Sequence, residues 1–143
     1  MTASELTAAV TATYDIWMRT VDLTGPALAR HRLTSATFQA LWVIDPDEPP
    51  PSMKVVAERL HCNASNLTFM ANQLIDRGLV ERVTDPADRR FRGLHLTAKG
   101  RQVRAEVVQA ALAGNPLARL DEGDLRQLVT LLNRALDSPL GEG

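Results

Sequence analysis

Apolar residues recur along this chain with two different periods, and the switches between them divide it into elements. Leu6, Val10, Tyr14, Trp17, Met18 and Val21 follow three- and four-residue steps, which predicts an amphipathic helix from about Ser4 to Leu23. Thr24-Gly25-Pro26 reads as its stop, with a short helical piece after it from Pro26 to Arg30. Thr34 or Ser35 can cap the next helix, which carries Phe38, Leu41 and Trp42 and runs to about Ile44. Ser52 is placed to cap a helix over Met53 to Leu60. After the tight turn His61-Cys62-Asn63, Asn63 caps another, Ala64 to Arg77, with Leu67, Met70, Ala71 and Leu74 as its buried stripe. Gly78 suits the left-handed position just past that helix. Two short helices joined by a three-residue turn make a candidate helix-turn-helix.

The period then changes. Val80 to Thr84 and Gly93 to Leu96 are short and strand-like, and Asp85-Pro-Ala-Asp-Arg-Arg-Phe-Arg92 lies between them, so the segment reads as a β-hairpin with an arginine-rich tip. Thr97 can cap a long helix with Val103, Val107, Ala110 and Ala111 on one face, stopped by Gly114-Asn115-Pro116. Asp121 caps a last helix whose stripe is Leu125, Leu128, Val129, Leu132 and Leu136. Asp45-Pro-Asp-Glu-Pro-Pro-Pro51 cannot be helix interior and reads as a stiff, acidic, polyproline-like connector. The expected fold is mainly α: a winged helix-turn-helix with a two-strand β wing and flanking helices.

Composition adds limits more than positive information. The 143 residues suit one domain, 1–143, and the overall charge of −1 selects no partner. Its distribution is more telling. From Lys54 to Arg104 there are ten basic and five acidic residues, so the middle is net positive and the rest net negative. The single cysteine, Cys62, excludes an internal disulfide framework and a Cys-rich zinc cluster. The scattered His31, His61 and His95 offer no metal site, and none is expected. No apolar run approaches the length of a membrane span, and no secretory signal is visible, so a cytoplasmic protein is expected. There is no Gly-x-Ser-x-Gly, phosphate-binding loop, His-Glu-x-x-His or dinucleotide fingerprint. Neither an enzyme nor a cofactor is therefore expected.

The run Leu60-His-Cys-Asn-Ala-Ser-Asn-Leu-Thr-Phe-Met-Ala-Asn-Gln-Leu-Ile-Asp-Arg-Gly-Leu-Val-Glu-Arg82 resembles, without a gap, the MarR family of transcriptional regulators. Asp88-Arg89-Arg90 followed by Leu96-Thr-Ala-Lys-Gly100 is similar to that family's wing signature, an Asp-x-Arg before a Leu-Thr-x-x-Gly. Leu33-Thr34 with Leu41 matches the helix before the motif. Three positions depart from the pattern: Thr37 stands where glutamine is frequent, and Ala64 and Phe69 where basic or polar residues are common.

The resemblance implies a homodimer that binds double-stranded DNA at a pseudo-palindromic operator, a repressor relieved by a small aromatic or phenolic effector. Residues 1–32 and 98–143 would form the dimerisation helices and 33–97 the DNA-binding lobe. Ser65, Asn66 and Thr68, at the start of the second helix of the motif and off its apolar stripe, are candidates for base or phosphate contacts, with Asn72 and Gln73 further along. Ordinary surface polarity and helix capping would account for the same residues. Arg89, Arg90 and Arg92 at the wing suit the narrow minor groove. By resemblance Arg90 enters it, while Asp88 orients that arginine or ties down the wing and Arg82 pairs with a wing acid such as Asp88. Tyr14, Trp17, Phe38 and Trp42 could line an effector pocket, although aromatics at helical spacing more often belong to a core. Cys62 reads as a small buried thiol, with a redox-sensing regulator as the alternative, since it lies beside a helix N-terminus. A winged helix used only for protein contact is the remaining alternative.

Overall fold

The computed structural model describes residues 3–137. Its elements run α1 (Ala3–His31), α2 (Ser35–Trp42), α3 (Met53–Leu60), α4 (Ala64–Asp76), β1 (Val80–Asp85), β2 (Asp88–Leu96), α5 (Ala98–Leu112), a 3-10 turn (Pro116–Arg119) and α6 (Glu122–Asp137). The strands form one antiparallel pair. The chain is therefore mainly helical with a two-strand wing after a helix-turn-helix, the class the periodicities predict.

Contacts divide it into two compact units. One comprises α1 up to Leu23 together with the chain from Leu112 onward; the other is Thr24–Ala111. The divisions fall within α1 and near the end of α5. The second unit holds a continuous apolar core built from Leu28, Phe38, Leu41, Ile44, Val56, Leu67, Leu74, Leu79, Val80, Leu94, Leu96, Val103 and Val107. The first is the opposite case. Of the twelve large hydrophobic side chains exposed among the described residues, all but Phe69 belong to it, and α6 has no buried residue. Its best-enclosed polar contact is Asn115, whose amide donates to Thr20 Oγ1 at 2.9 Å.

One expected boundary is wrong. Thr24-Gly25-Pro26 does not end the first helix, which continues through Pro26 to His31. Proline removes one backbone donor and crowds the carbonyl a turn earlier, a penalty of about 3 kcal/mol in a helix interior. It also crowds the Cβ of the residue before it, and here that residue is glycine, which has none. Thr24, Ala27 and Leu28 are all buried in this stretch. Packing the last turns of α1 into the core therefore overrides the local signal. The helix ends on Arg32, held at φ 54, with Leu33 N–H donating back to Leu28 O at 2.9 Å.

The proline-rich connector is also less free than its composition suggests. Asp45 Oδ1 accepts from Asp47 N–H, bending the chain, and Glu48 pairs with Arg59 of α3. At its far end Pro51 is buried, its carbonyl accepts Leu94 N–H at 3.1 Å, and Ser52 bridges to Gly93. The segment is thus a turn plus a brace against the base of the wing, not an independent polyproline spacer.

Candidate nucleic-acid interface

The caps that position α2, α3 and α4 are local and legible. Thr34 and Thr37 satisfy each other's backbone N–H groups, at 3.2 and 3.0 Å, at the start of α2. Thr37 therefore fills the reciprocal capping role despite being a short side chain. Ser52 Oγ accepts from Val55 N–H and Asn63 Oδ1 from Asn66 N–H, each fixing the first turn of its helix. The turn between α3 and α4 places His61 at φ 53, where Cys62 N–H reaches Ala57 O. A left-handed residue closed by a bond spanning six residues is the usual helix stop, here made without glycine.

α4 buries Leu67, Ala71 and Leu74 and turns the opposite face outward. Ser65, Asn66, Thr68 and Asn72 are exposed there, and Gln73 is half-buried. Thr68 Oγ1 donates to Ala64 O, which holds the hydroxyl against the helix. The predicted polar residues thus share an outward surface on one rigid helix.

The wing differs from the expected hairpin in a way that bears on function. Its loop is only Pro86-Ala87, and Asp85 pairs directly with Asp88. Asp85 Oδ1 accepts Ala87 N–H, so the aspartate itself makes the turn tight. Arg89, Arg90 and Arg92 consequently lie on β2, not in a loop at the tip. The ladder slips between the Val83–Gly93 and Asp85–Asp88 pairs, so Arg89, Arg90 and Arg92 fall in the irregular part of β2, and all three are exposed. Arg92 curls back, donating to the carbonyls of Arg89 and Phe91. Asp88 Oδ1 accepts the backbone N–H of Arg90 at 3.0 Å; it ties down the strand and leaves the Arg90 side chain exposed.

The expected pairing of Arg82 with Asp88 is not formed. Arg82 stands opposite Leu94, well down the ladder from the Asp85–Asp88 pair, and its guanidinium donates to Asn72 Oδ1 of α4. The correction is informative, because the bond fastens the wing to the helix that carries the candidate contacts. Between them lies a cleft lined by Lys54, Ala64, Thr68, Arg82 and Arg92. Lys54 is the member that residue-by-residue reading passed over; its only signal in the sequence was its place in the basic middle segment.

Much of that basic surplus has structural employment. Arg59 donates to Val43 O, Arg77 to His31 O, Lys99 to Arg77 O and Arg104 to Trp42 O. Each of these carbonyls ends a helix, where cations offset exposed C=O groups. Four of the ten basic residues thus secure joints of the fold, which concentrates the outward positive charge on α3, the wing and Arg101.

The remaining candidates are placed as follows. Phe38 is 4% exposed and meets the half-buried Trp42 edge-on, ring centroids 5.3 Å apart. Tyr14 and Trp17 are exposed on α1, in the other unit. Cys62 is half-buried and packs on the core. No group of three or more metal-binding side chains occurs among the described residues, and no described helix is long and apolar enough to cross a membrane.

A family model described as the MarR family matches residues 31–90, the segment from the end of α1 to the wing arginines. A protein of Thauera aromatica, named provisionally as a transcriptional regulatory protein for the hcr operon, is 33% identical over 104 residues. That match takes in 71% of this chain, and the chain spans 62% of that relative's length. Among solved structures, NadR in complex with 4-hydroxyphenylacetate superposes with a TM-score of 0.76 at 19% identity, covering 94% of this chain and 93% of its own. CouR from Rhodococcus jostii RHA1, bound to p-coumaroyl-CoA, gives 0.73 at 21% identity, covering 96% and 93%. At such identities these structures speak to the fold alone.

Proposed function

This chain belongs to the MarR family through its helix-turn-helix and wing, and from that premise we propose that it is a homodimeric, sequence-specific regulator of transcription that acts in the cytoplasm. The observation that carries the reading is the Arg82–Asn72 bond, which fastens β1, and with it the paired strand β2 that bears Arg90, to α4, whose outward face bears Ser65, Asn66 and Thr68. A helix seated in the major groove with a basic strand beside it reaches bases and backbone at once. Ser65, Asn66, Thr68, Asn72 and Gln73 contact base edges or phosphates, Arg90 enters the adjacent minor groove, and Arg89, Arg92 and Lys54 meet the backbone.

Dimerisation is supported by the first unit's lack of an apolar interior. Burying a large apolar side chain contributes about 1.5–3 kcal/mol, and this unit leaves eleven of them exposed among its described residues. A second copy supplies the missing surface, with α1, the end of α5 and α6 as the interface. A twofold dimer then presents two copies of α4 to half-sites about one DNA turn apart, on a pseudo-palindromic operator.

Repression relieved by a small aromatic or phenolic effector is the regulatory part of the proposal. Its support is that NadR and CouR, of the same fold, are named with bound ligands that both carry a 4-hydroxyphenyl group. Tyr14 and Trp17 in the first unit, and separately Trp42 in the second, are aromatic side chains suited to contact such a ring; Phe38, deep in the core, would act by supporting Trp42.

Fluorescence anisotropy with the duplex upstream of the gene tests the function. Binding that resists excess random DNA and weakens steeply with salt is expected, with release on adding 4-hydroxyphenylacetate as the phenolic probe. Equal affinity for operator and random DNA refutes sequence-specific regulation. Unchanged binding with the probe refutes only this ligand's part in it.

A further inference from the structure

We propose that Phe69 is a specificity-determining residue that packs against the C5-methyl group of a thymine, an inference that rests on the DNA-binding function above. Within Thr24–Ala111 it is the one large hydrophobic side chain exposed among the described residues, at 66%. The rest of that unit's large apolar side chains are buried or half-buried. Phe69 also sits at the middle of an outward face. Leu67, Ala71 and Leu74 point to the core, and the 3.6-residue period sets Phe69 opposite them. Asn66 and Gln73 flank it on one side, Ser65 and Asn72 on the other.

A lone exposed phenylalanine on an ordinary helix needs no explanation. Here its neighbours on the outward face, Ser65, Asn66, Asn72 and Gln73, are hydrogen-bonding side chains on a helix proposed to lie in the major groove. In that groove an A·T pair offers two features side by side: the N7 acceptor and N6 donor of adenine, and the thymine methyl. Asparagine and glutamine amides match the first, and an apolar side chain matches the second. Asn66 or Gln73 beside Phe69 therefore makes a composite surface for one A·T pair or two adjacent ones. No other base carries an apolar group on its major-groove edge, so the ring converts a single methyl into sequence preference. It also removes from water an aromatic surface that the free protein leaves wet.

The experiment separates this inference from the function beneath it. Full-length protein selects its preferred duplexes from a random pool, and each thymine of the winning sequence is then replaced by deoxyuridine, which pairs identically but lacks the methyl. One thymine per half-site is expected to matter, with affinity falling about fourfold for each methyl lost, the effect of exposing one buried methyl group. Phe69→Ala should bind the thymine and uracil duplexes alike, and Phe69→Leu should keep most of the preference. Because the ring is exposed, both variants should fold as wild type, which circular dichroism checks. Enriched duplexes whose affinity ignores every thymine methyl overturn the role of Phe69 while leaving DNA binding in place. So does a Phe69→Ala variant with the wild-type affinity and methyl preference, which would assign the ring to a protein partner. Failure to enrich any sequence overturns both.

Discussion

Gly100→Ala should unfold the joint between the wing and α5, and the structure gives the size of the effect. A Cβ at position 100 would lie 1.8 Å from the carbonyl oxygen of Leu79 and 2.8 Å from its carbonyl carbon. Those are backbone atoms, so no rotamer change relieves the clash; Leu79 or the first turn of α5 must move by about an ångström or more. Leu79 is poorly placed to yield. Its side chain is buried, its N–H donates to Leu74 O at 2.9 Å, and its carbonyl accepts Thr97 N–H at 3.1 Å. Thr97 locks the same joint, donating from Oγ1 to Gly78 O and accepting from Gly100 N–H. Overpacking of this kind costs about 1–3 kcal/mol. Loss of the bond to Leu79 adds about 1–2 kcal/mol, because the group left behind is enclosed. Alanine's higher helix propensity returns about 1 kcal/mol. The balance is a loss of about 2.5 kcal/mol, which at a urea slope of about 2 kcal/mol per molar lowers the midpoint by about 1.2 M. Wild type and variant must be compared at equal protein concentration, because association shifts apparent stability. Gly123→Ala, where the nearest atom is Asp121 Oδ1 at 3.4 Å, is the control and should raise the midpoint slightly. A Gly100→Ala midpoint equal to or above wild type would refute the reasoning.

Four further outcomes are expected. His61→Gly, which relieves a left-handed non-glycine residue, should gain about 0.5–1 kcal/mol in the same urea titration, and a loss would mean the imidazole has a role beyond the turn. Arg90→Ala should weaken operator binding by about 1–3 kcal/mol per subunit, whereas Arg101→Ala, the same charge change on α5, should cost markedly less; equal effects measured across several salt concentrations would reduce Arg90 to part of a diffuse basic face. Val129→Glu combined with Leu132→Glu should convert a dimer to monomer or aggregate in light scattering at micromolar concentration, and a monomeric wild type would sink the dimer outright. Cys62→Ser should cost a modest amount of stability and leave the response to peroxide unchanged; a wild-type protein that loses DNA binding to peroxide while the serine variant keeps it would establish a redox input.

How far the sequence disclosed this fold depended on the range of the forces involved. Caps are local, and Thr34, Ser52, Asn63, Thr97 and Asp121 all stand where a reader of residue types would put them. Gly78, at φ 72, is equally local. The end of the first helix failed because its outcome was decided by Ala27 and Leu28 joining a core built from residues far along the chain. A Gly-Pro pair is a strong stop only where nothing packs beyond it. The wing loop failed for a different reason. Arginine-rich sequence suggests a solvated loop, but a strand exposed on both faces tolerates the same residues, and Asp85 starts the turn four residues before Arg89 is reached.

The site itself was legible as a set of residue types and not as a geometry. Helical period alone separates Ser65, Asn66, Thr68, Asn72 and Gln73 from the apolar stripe of α4, so their common outward surface follows from spacing. The partner of Arg82 does not follow. Ten residues separate it from Asn72, and nothing local prefers that amide to a nearby carboxylate; the choice is made by how the hairpin crosses α4. The same holds for the charge pattern. A surplus of basic residues over Lys54–Arg104 reads as one polyanion-binding patch, yet Arg59, Arg77, Lys99 and Arg104 close the ends of helices whose carbonyls would otherwise be unpaired. Net charge sums over both uses. What distinguishes them is the partner each cation meets, and all four of those partners lie more than fifteen residues away in sequence. Substituting one of these four should therefore cost stability first and DNA affinity second, and substituting Arg90 should do the reverse; the order of the two losses is what separates a joint from a contact.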